Sequence, residues 1–232
     1  MSIVSSALVV DVIVHSDIVH EFILRVDEFE DYEPGQFLQL TLDQTDASAL
    51  WPESRTFSIA SYNPQEKLIR LIIKKVGSYT IRIFNELVPN TICTVKYAYG
   101  DFMLPMFDEE EKIHCIAGGT GIAPFLSFLE YLTMNGKVNR LYIYYSARKE
   151  SELVHFEDLK RLLPEGHLKT FTTRKTSSTS ENRRMLVSDI IPNVNDFTEE
   201  HFYVCGSKGL IEKFKDELEE KGAENIYLDE WD

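Results

Sequence analysis

Between the apolar run Lys112–Ala117 and a helical pattern that stops at Gly136 stands the sequence Gly118-Gly119-Thr120-Gly121-Ile122-Ala123-Pro124. Ile122, Phe125, Leu126, Leu129 and Leu132 recur at helical spacing after it, so the run is a strand–turn–helix junction. Glycines let the backbone turn tightly and let a phosphate come close. The helix start then offers unpaired N–H groups and the positive end of its dipole. Pro124 suits the first helical turn, where a missing N–H costs nothing. The same spacing also serves a plain tight turn in any α/β domain, and Pro124 stands where the third glycine of G-x-G-x-x-G would be.

This junction falls where the rhythm of the chain changes. Before it, Ala7–Val14, Glu21–Val26, Phe37–Leu42, Arg55–Ser61, Lys67–Lys75 and Ile92–Tyr99 are short runs rich in branched and aromatic residues. Turn formers such as Pro34-Gly35 and Asn63-Pro64 separate several of them, which predicts an antiparallel barrel or sandwich. One helical pattern, Thr80–Leu87, interrupts the series. After Pro105, strands are expected at Lys112–Ala117, Arg140–Ala147, Leu168–Thr172, Phe202–Cys205 and Asn225–Leu228. Helices are expected at Gly121–Met134, Phe156–Leu163, Met185–Ile191 and Ser207–Lys221. Strands alternating with helices mean a parallel sheet with helices on both faces. The 232 residues suit two domains, placed at 1–105 and 106–232.

Composition narrows the chemistry. The formal net charge is −14, and acidic residues outnumber basic ones on both sides of the boundary, so no nucleic acid and no polybasic membrane contact is expected. No apolar stretch reaches the roughly 18 residues of a membrane span, and Met1-Ser2-Ile3-Val4 has no signal-peptide pattern. Cys93, Cys115 and Cys205 are an odd number at wide spacing, which points to a reducing, cytoplasmic setting rather than a disulfide scaffold. Without any C-x₂-C pair the chain has no ligand set for a plant-type iron–sulfur cluster, and its histidines lack metal-ligand spacing, so no metal is expected.

The glycine run resembles the pyridine-nucleotide loop of the ferredoxin–NADP⁺ reductase superfamily, and further motifs of that family follow in order. Pro34-Gly35-Gln36-Phe37 and Arg55-Thr56-Phe57-Ser58 resemble its P-G-Q-[FY] and flavin-binding R-x-[YF]-S segments. Gly77-Ser78-Tyr79-Thr80 resembles the loop before the flavin-phosphate helix. Val204-Cys205-Gly206-Ser207 resembles the C-G-[PS] turn near the nicotinamide, and Glu230-Trp231 the carboxylate–aromatic terminus. The resemblance implies an FAD-binding, six-stranded antiparallel β-barrel followed by a Rossmann-like NAD(P)-binding α/β domain.

It also implies roles. Arg55 grips the flavin pyrophosphate bidentately, with Thr56 beside it; Phe57 stacks on the isoalloxazine in the place of the commoner tyrosine; Ser58 hydrogen-bonds flavin N5 or O4. Gly77, Ser78, Tyr79 and Thr80 present N–H and hydroxyl groups to a phosphate. Gly119, Thr120, Gly121 and Pro124 cradle the nicotinamide dinucleotide, and Thr120 helps orient its ring. Cys205 and Gly206 lie against the carbon from which hydride leaves. Trp231 covers the flavin face and Glu230 relays a proton near N5. Taken alone, Arg55 is equally an exposed arginine, Cys205 a buried strand-end thiol and Trp231 a surface-packed ring.

At the end of the second expected strand of the α/β half, where an NAD reader places Asp or Glu, the chain has Ser146-Ala147-Arg148-Lys149; Thr173-Arg174-Lys175 and Arg183-Arg184 follow. Ser146, Arg148, Arg174 and Arg184 resemble a 2′-phosphate set, which favours NADPH over NADH. Arg183 stands where the family has glycine, so either arginine of that pair is a candidate. The expected activity is hydride transfer between NADPH (or NADH) and bound FAD, with a ferredoxin or flavodoxin as acceptor. Such carriers are usually acidic, so a local basic patch is required; Lys74, Lys75, Arg82 and the Arg148 region are its candidates. Two other readings stand beside this one: an NAD(P)H:free-flavin reductase, and a non-catalytic nucleotide-sensing or electron-transfer subunit.

Overall fold

The structure, a computed structural model, describes residues 2–105, 110–174 and 179–230. The chain forms two compact units, Met1–Leu104 with Leu126–Tyr131, and Pro105–Phe125 with Leu132–Asp232.

The first unit holds β1 (Ile3–Ser16), β2 (Val19–Val26), β3 (Phe37–Thr41), β4 (Arg55–Ser58), β5 (Leu68–Lys74), α1 (Ser78–Glu86) and β6 (Ile92–Tyr99). The strands form one antiparallel sheet in the order β4-β3-β6-β1-β2-β5. Its two edges are joined where the Ala60 N–H donates to the Arg70 carbonyl (2.8 Å), so the sheet is a nearly closed six-stranded barrel. Alternate residues point inward: Ala7 and Val9, Phe22 and Leu24, Leu38 and Leu40, Ile69, Leu71 and Ile73, Cys93, Val95 and Tyr97 are all fully buried. β1 outruns the expected Ala7–Val14 because irregularities at Val9/Asp11 and Val14/Ser16 bend it, letting it pair with β6 over Ile3–Leu8 and with β2 over Ala7–Ser16. β4 is shorter than the expected Arg55–Ser61. Past Ser58 the chain leaves β3, the Ile59 N–H turning to the Gln36 carbonyl (2.9 Å) and the next residue to β5.

The second unit contains β7 (Ile113–Gly118), the two ends of α2 (Ala123–Met134) on either side of Leu126–Tyr131, β8 (Leu141–Ala147), α3 (Phe156–Leu162), β9 (Leu168–Thr172), β10 (His201–Gly206), α4 (Lys208–Glu220) and β11 (Asn225–Glu230). Its five strands are all parallel, ordered β11-β10-β7-β8-β9. The chain therefore winds from β7 to one edge, returns, and winds from β10 to the other. The order reverses between β7 and β10, and in open α/β sheets the crevice beyond such a reversal, at the carboxyl ends of the strands, is where ligands bind. The helix expected over Met185–Ile191 is absent. Two single 3₁₀ turns, Val187–Asp189 and Ile191–Asn193, stand in its place, because Pro192 lacks an N–H and the Asp189 carboxylate takes the Leu186 N–H (2.9 Å). Among the described residues no helix is long and apolar enough to cross a membrane.

Candidate functional site

In the second unit the site is built by steric necessity. β7 carries five consecutive buried residues to Ala117, followed by Gly118 and a single 3₁₀ turn, Gly119–Ile122, that leads into α2 with Pro124 as its second residue. A Cβ on Gly121 would lie 2.3 Å from the carbonyl oxygen of Cys205 at the end of β10, so only glycine lets the two strand ends come this close. The first-turn N–H groups of the Gly119–Ala123 segment have few acceptors within the helix, which makes this end of the sheet a ready anion site.

Cys205 is fully buried, in register with Ala117 on one side and Asp229 on the other. Its thiol donates to the Asp229 carboxylate at 3.8 Å. Asp229 is not among the sequence candidates; Glu230, its neighbour, was preferred. Glu230 is exposed and pairs in register with Gly206. The parallel register of β10 and β11 is the signal that brings Asp229 to the thiol. Trp231 lies outside the described residues.

The carboxyl ends of β8 and β9 gather the arginines. The Arg174 N–H donates to the Arg148 carbonyl (2.9 Å), and the Thr172 hydroxyl to the Asn182 side-chain oxygen (3.1 Å), tying the 181–184 segment to the end of β9. Arg148, Arg174 and Arg184 are exposed, and among the described residues no carboxylate pairs with their guanidinium groups. Arg183 differs. Its guanidinium donates to both Asp189 carboxylate oxygens (2.8 and 2.5 Å), forms an ion pair with Glu181 and lies 5.2 Å from the centre of the Phe171 ring. The Ser146 hydroxyl donates across to the Ala117 carbonyl (3.2 Å), so its proton is spent within the sheet.

In the first unit, Arg55 opens β4 and lies 4.5 Å from the centre of the Tyr79 ring. Tyr79 is buried; its hydroxyl donates to the Glu53 carbonyl (2.9 Å) and accepts the Leu42 N–H (3.1 Å). Tyr79 thus brings Arg55 and the start of α1 together, two features that sequence alone lists separately. Arg55 also pairs with Glu53 (3.1 Å) and donates to the Ser54 carbonyl (2.7 Å). The Thr80 hydroxyl turns back on its own loop, accepting the Val76 and Gly77 N–H groups (2.9 and 3.0 Å). It secures the helix entry, whereas the Ser78 side chain remains exposed. Thr56, Phe57 and Ser58 pair with Gln39, Leu38 and Phe37; Ser58 is buried, and Phe57 packs partly against the barrel core. The space where a Gly77 side chain would stand is open, so a phosphate has access to the first turn of α1 beside Arg55.

Comparison with known proteins places this fold among solved structures. Residues 115–216 match the oxidoreductase NAD-binding domain family. With that domain on a parallel sheet and a six-stranded barrel before it, the two-part fold aligns over 99% of this chain and 98% of a ferredoxin–NADP⁺ reductase from Neisseria gonorrhoeae solved with bound FAD and NADP (TM-score 0.79, 17% identity). The chain shares the two-domain fold of that reductase. The FAD/NAD-binding domain of a nitric oxide dioxygenase from Vibrio cholerae has the same fold (TM-score 0.84, 18% identity, 98% of both chains). In sequence, the chain is 27% identical over 222 residues to the electron transfer component of 2-halobenzoate 1,2-dioxygenase from Burkholderia cepacia. It is 25% identical over 213 residues to the ferredoxin–NAD(P)⁺ reductase component of the naphthalene 1,2-dioxygenase system from Pseudomonas putida. These alignments take in 91% and 89% of this chain but 62% of each relative, so the chain spans about three fifths of their length.

Proposed function

We propose that this chain is an FAD-dependent NAD(P)H oxidoreductase that delivers electrons to a ferredoxin- or flavodoxin-type acceptor. The observation that carries the reading is the close approach of Gly121 to the Cys205 carbonyl at the sheet's reversal point, the end of the sheet where open α/β folds bind their ligands. When bound, the flavin supplies hydride acceptance and release of electrons singly or in pairs.

The remaining work belongs to the protein's own groups. The N–H groups between Gly119 and Ala123 hold the pyrophosphate of the nicotinamide dinucleotide, and Thr120 borders its ring. Asp229 accepts the Cys205 thiol proton and so fixes which way the sulfur points. Cys205 acts as a wall that orients, without forming a bond. In the barrel, Arg55, steadied by Tyr79, holds the flavin phosphates with the first turn of α1, and Ser58 offers a hydroxyl near the reactive ring edge. Glu230 and Trp231 are assigned the proton relay and the cover over the flavin.

NADPH is the preferred donor. Arg148, Arg174 and Arg184 are cations without carboxylate partners among the described residues, as a dianionic 2′-phosphate requires. For the acceptor, Lys75 stands 5.5 Å from the Phe84 ring of α1 and Lys74 precedes it, while Arg82 is paired with Glu86 (2.9 Å); the two lysines are the candidates to face an acidic carrier. The test is to purify the protein, measure bound flavin, and titrate it anaerobically with NADPH and NADH. Retained FAD bleached faster by NADPH supports the reading. A colourless protein that reduces added flavin favours the free-flavin reductase, and flavin that neither nucleotide bleaches favours a non-catalytic subunit.

A further inference from the structure

Two adjacent arginines reach the carboxyl end of β9, and the structure treats them oppositely. Arg183 is gripped by the Asp189 carboxylate through both oxygens (2.8 and 2.5 Å), while among the described residues Arg184 has no such partner. Asp189 is itself only 6% exposed, and its oxygens also accept the Leu186 N–H (2.9 Å) and the Lys169 ammonium (3.0 Å). Lys169 bridges on to Glu181 (2.9 Å), whose backbone carbonyl receives the Thr172 N–H (2.9 Å) and whose own N–H reaches the Thr170 carbonyl (2.9 Å). Nη1 of Arg183, which donates to Asp189, also donates to the Arg184 carbonyl (3.0 Å). Asp189 and the adjoining strand β9 thus hold the backbone on either side of Arg184, joined by Lys213 of α4, which donates to the Met185 carbonyl (3.4 Å).

Burial opposes the charge on Asp189, but Arg183, the Leu186 N–H and Lys169 outweigh it and hold the carboxyl well below the usual carboxylate range. The same contact with Asp189 holds the Arg183 charge firmly in place. Bidentate arginine–carboxylate pairs of this kind fix geometry as well as charge. Arg183 is therefore not available to a ligand without breaking two charge-assisted bonds.

We infer that Asp189 is a specificity-determining positioning residue: by locking Arg183 it fixes the 181–186 segment so that Arg184, alone of the pair, faces the 2′-phosphate of NADPH. The inference rests on the nucleotide reading proposed above, and deepens it by assigning the two arginines different tasks, one an anchor and one a ligand.

The test is isothermal titration calorimetry of NADP⁺ and NAD⁺ with the full chain, which needs no turnover. Asp189→Asn and Arg183→Met remove the two halves of the same anchor; methionine keeps the apolar stem over Phe171. Arg183 is 40% exposed, so its variant is the one expected to fold as the parent does if Asp189→Asn does not. Each variant is predicted to weaken NADP⁺ about tenfold, a factor worth about 1.4 kcal/mol, with NAD⁺ affinity unchanged. The double variant is predicted to be no worse than either single one, because one anchor is lost only once. Arg184→Ala should lose at least as much NADP⁺ affinity as Asp189→Asn. If Arg184→Ala weakens NADP⁺ while Arg183→Met and Asp189→Asn leave it unchanged or tighter, the anchor assignment is overturned and the nucleotide reading stands. If Arg148→Ala, Arg174→Ala and Arg184→Ala all leave NADP⁺ affinity unchanged, the nucleotide reading falls and the anchor assignment with it.

Discussion

A single atom decides the tightest contact in the site. Gly121 faces the Cys205 carbonyl so closely that an added methyl group must push β10 away from β7. Gly121→Ala is expected to cost about 1–3 kcal/mol, the usual price of overpacking a well-filled interior, and to weaken both nicotinamide nucleotides alike. Thermal unfolding and calorimetric titration check the two halves of that statement. Arg55 sits at the opposite extreme: its pair with Glu53 is half exposed, so Arg55→Ala should change stability by less than about 1 kcal/mol. It should nevertheless lower the fraction of purified protein that retains flavin, measured as the flavin-to-protein ratio. Sequence reading singled out Gly121, Arg55 and Cys205 because each belongs to a local motif. It missed Asp229, whose contact with the thiol arises from pairing between two parallel strands 24 residues apart. It also left Arg183 and Arg184 undivided, because the carboxylate that separates them is six residues downstream of Arg183.

At the level of the element, hydrophobic periodicity carried most of the information. The alternation in β2, β5 and β6 and the helical spacing of α2 and α4 appear in the structure where periodicity predicts them, since burial on one face is what both the pattern and the fold express. Phe214 illustrates the link: it lies on the inner face of α4, fully buried with Phe202, Val204 and Leu218. Phe214→Ala is predicted to cost about 3–5 kcal/mol, read as a shift in the denaturant midpoint with an unchanged slope. Periodicity failed where backbone hydrogen bonding prevailed. Met185–Ile191 has helical spacing, but the Asp189 carboxylate and Pro192 break the run into single turns. Arg55–Ser61 alternates like one strand, yet its last residues exchange partners to close the barrel.

The whole molecule carries a charge of −14, and its response to acid has an identifiable buried source. His114, fully buried on β7 between aromatic rings, meets the Glu200 carboxylate at 2.7 Å, and its Nδ1 has no hydrogen-bond partner among the described residues. Burial lowers the His114 pKa and outweighs the opposing pull of Glu200, with Lys112 and His167 adding to the lowering. Burial acts to raise Glu200, but the bonds from His114 and the Asn195 N–H leave it below the usual carboxylate range. A histidine held neutral in the folded state stabilises fully above its unfolded pKa of 6.5, and that contribution is lost as pH falls below it. A carboxylate with a lowered pKa stabilises above its unfolded value of 4.5 and loses that contribution as pH falls further. Both signs agree, so the thermal midpoint should fall continuously from pH 7 downward, and His114→Gln should flatten the part between pH 7 and 5. Calorimetric scans of the two proteins across that range check it.

In the function proposed above, this chain holds FAD in its barrel and reduces it with a nucleotide bound by its parallel sheet. Anaerobic stopped-flow absorbance of the flavin-loaded protein, mixed with NADPH and separately with NADH, tests it most directly. The oxidised-flavin band is expected to disappear with both donors, faster with NADPH, and the difference between them to shrink in Arg184→Ala. A flavin band that persists with either donor would contradict it.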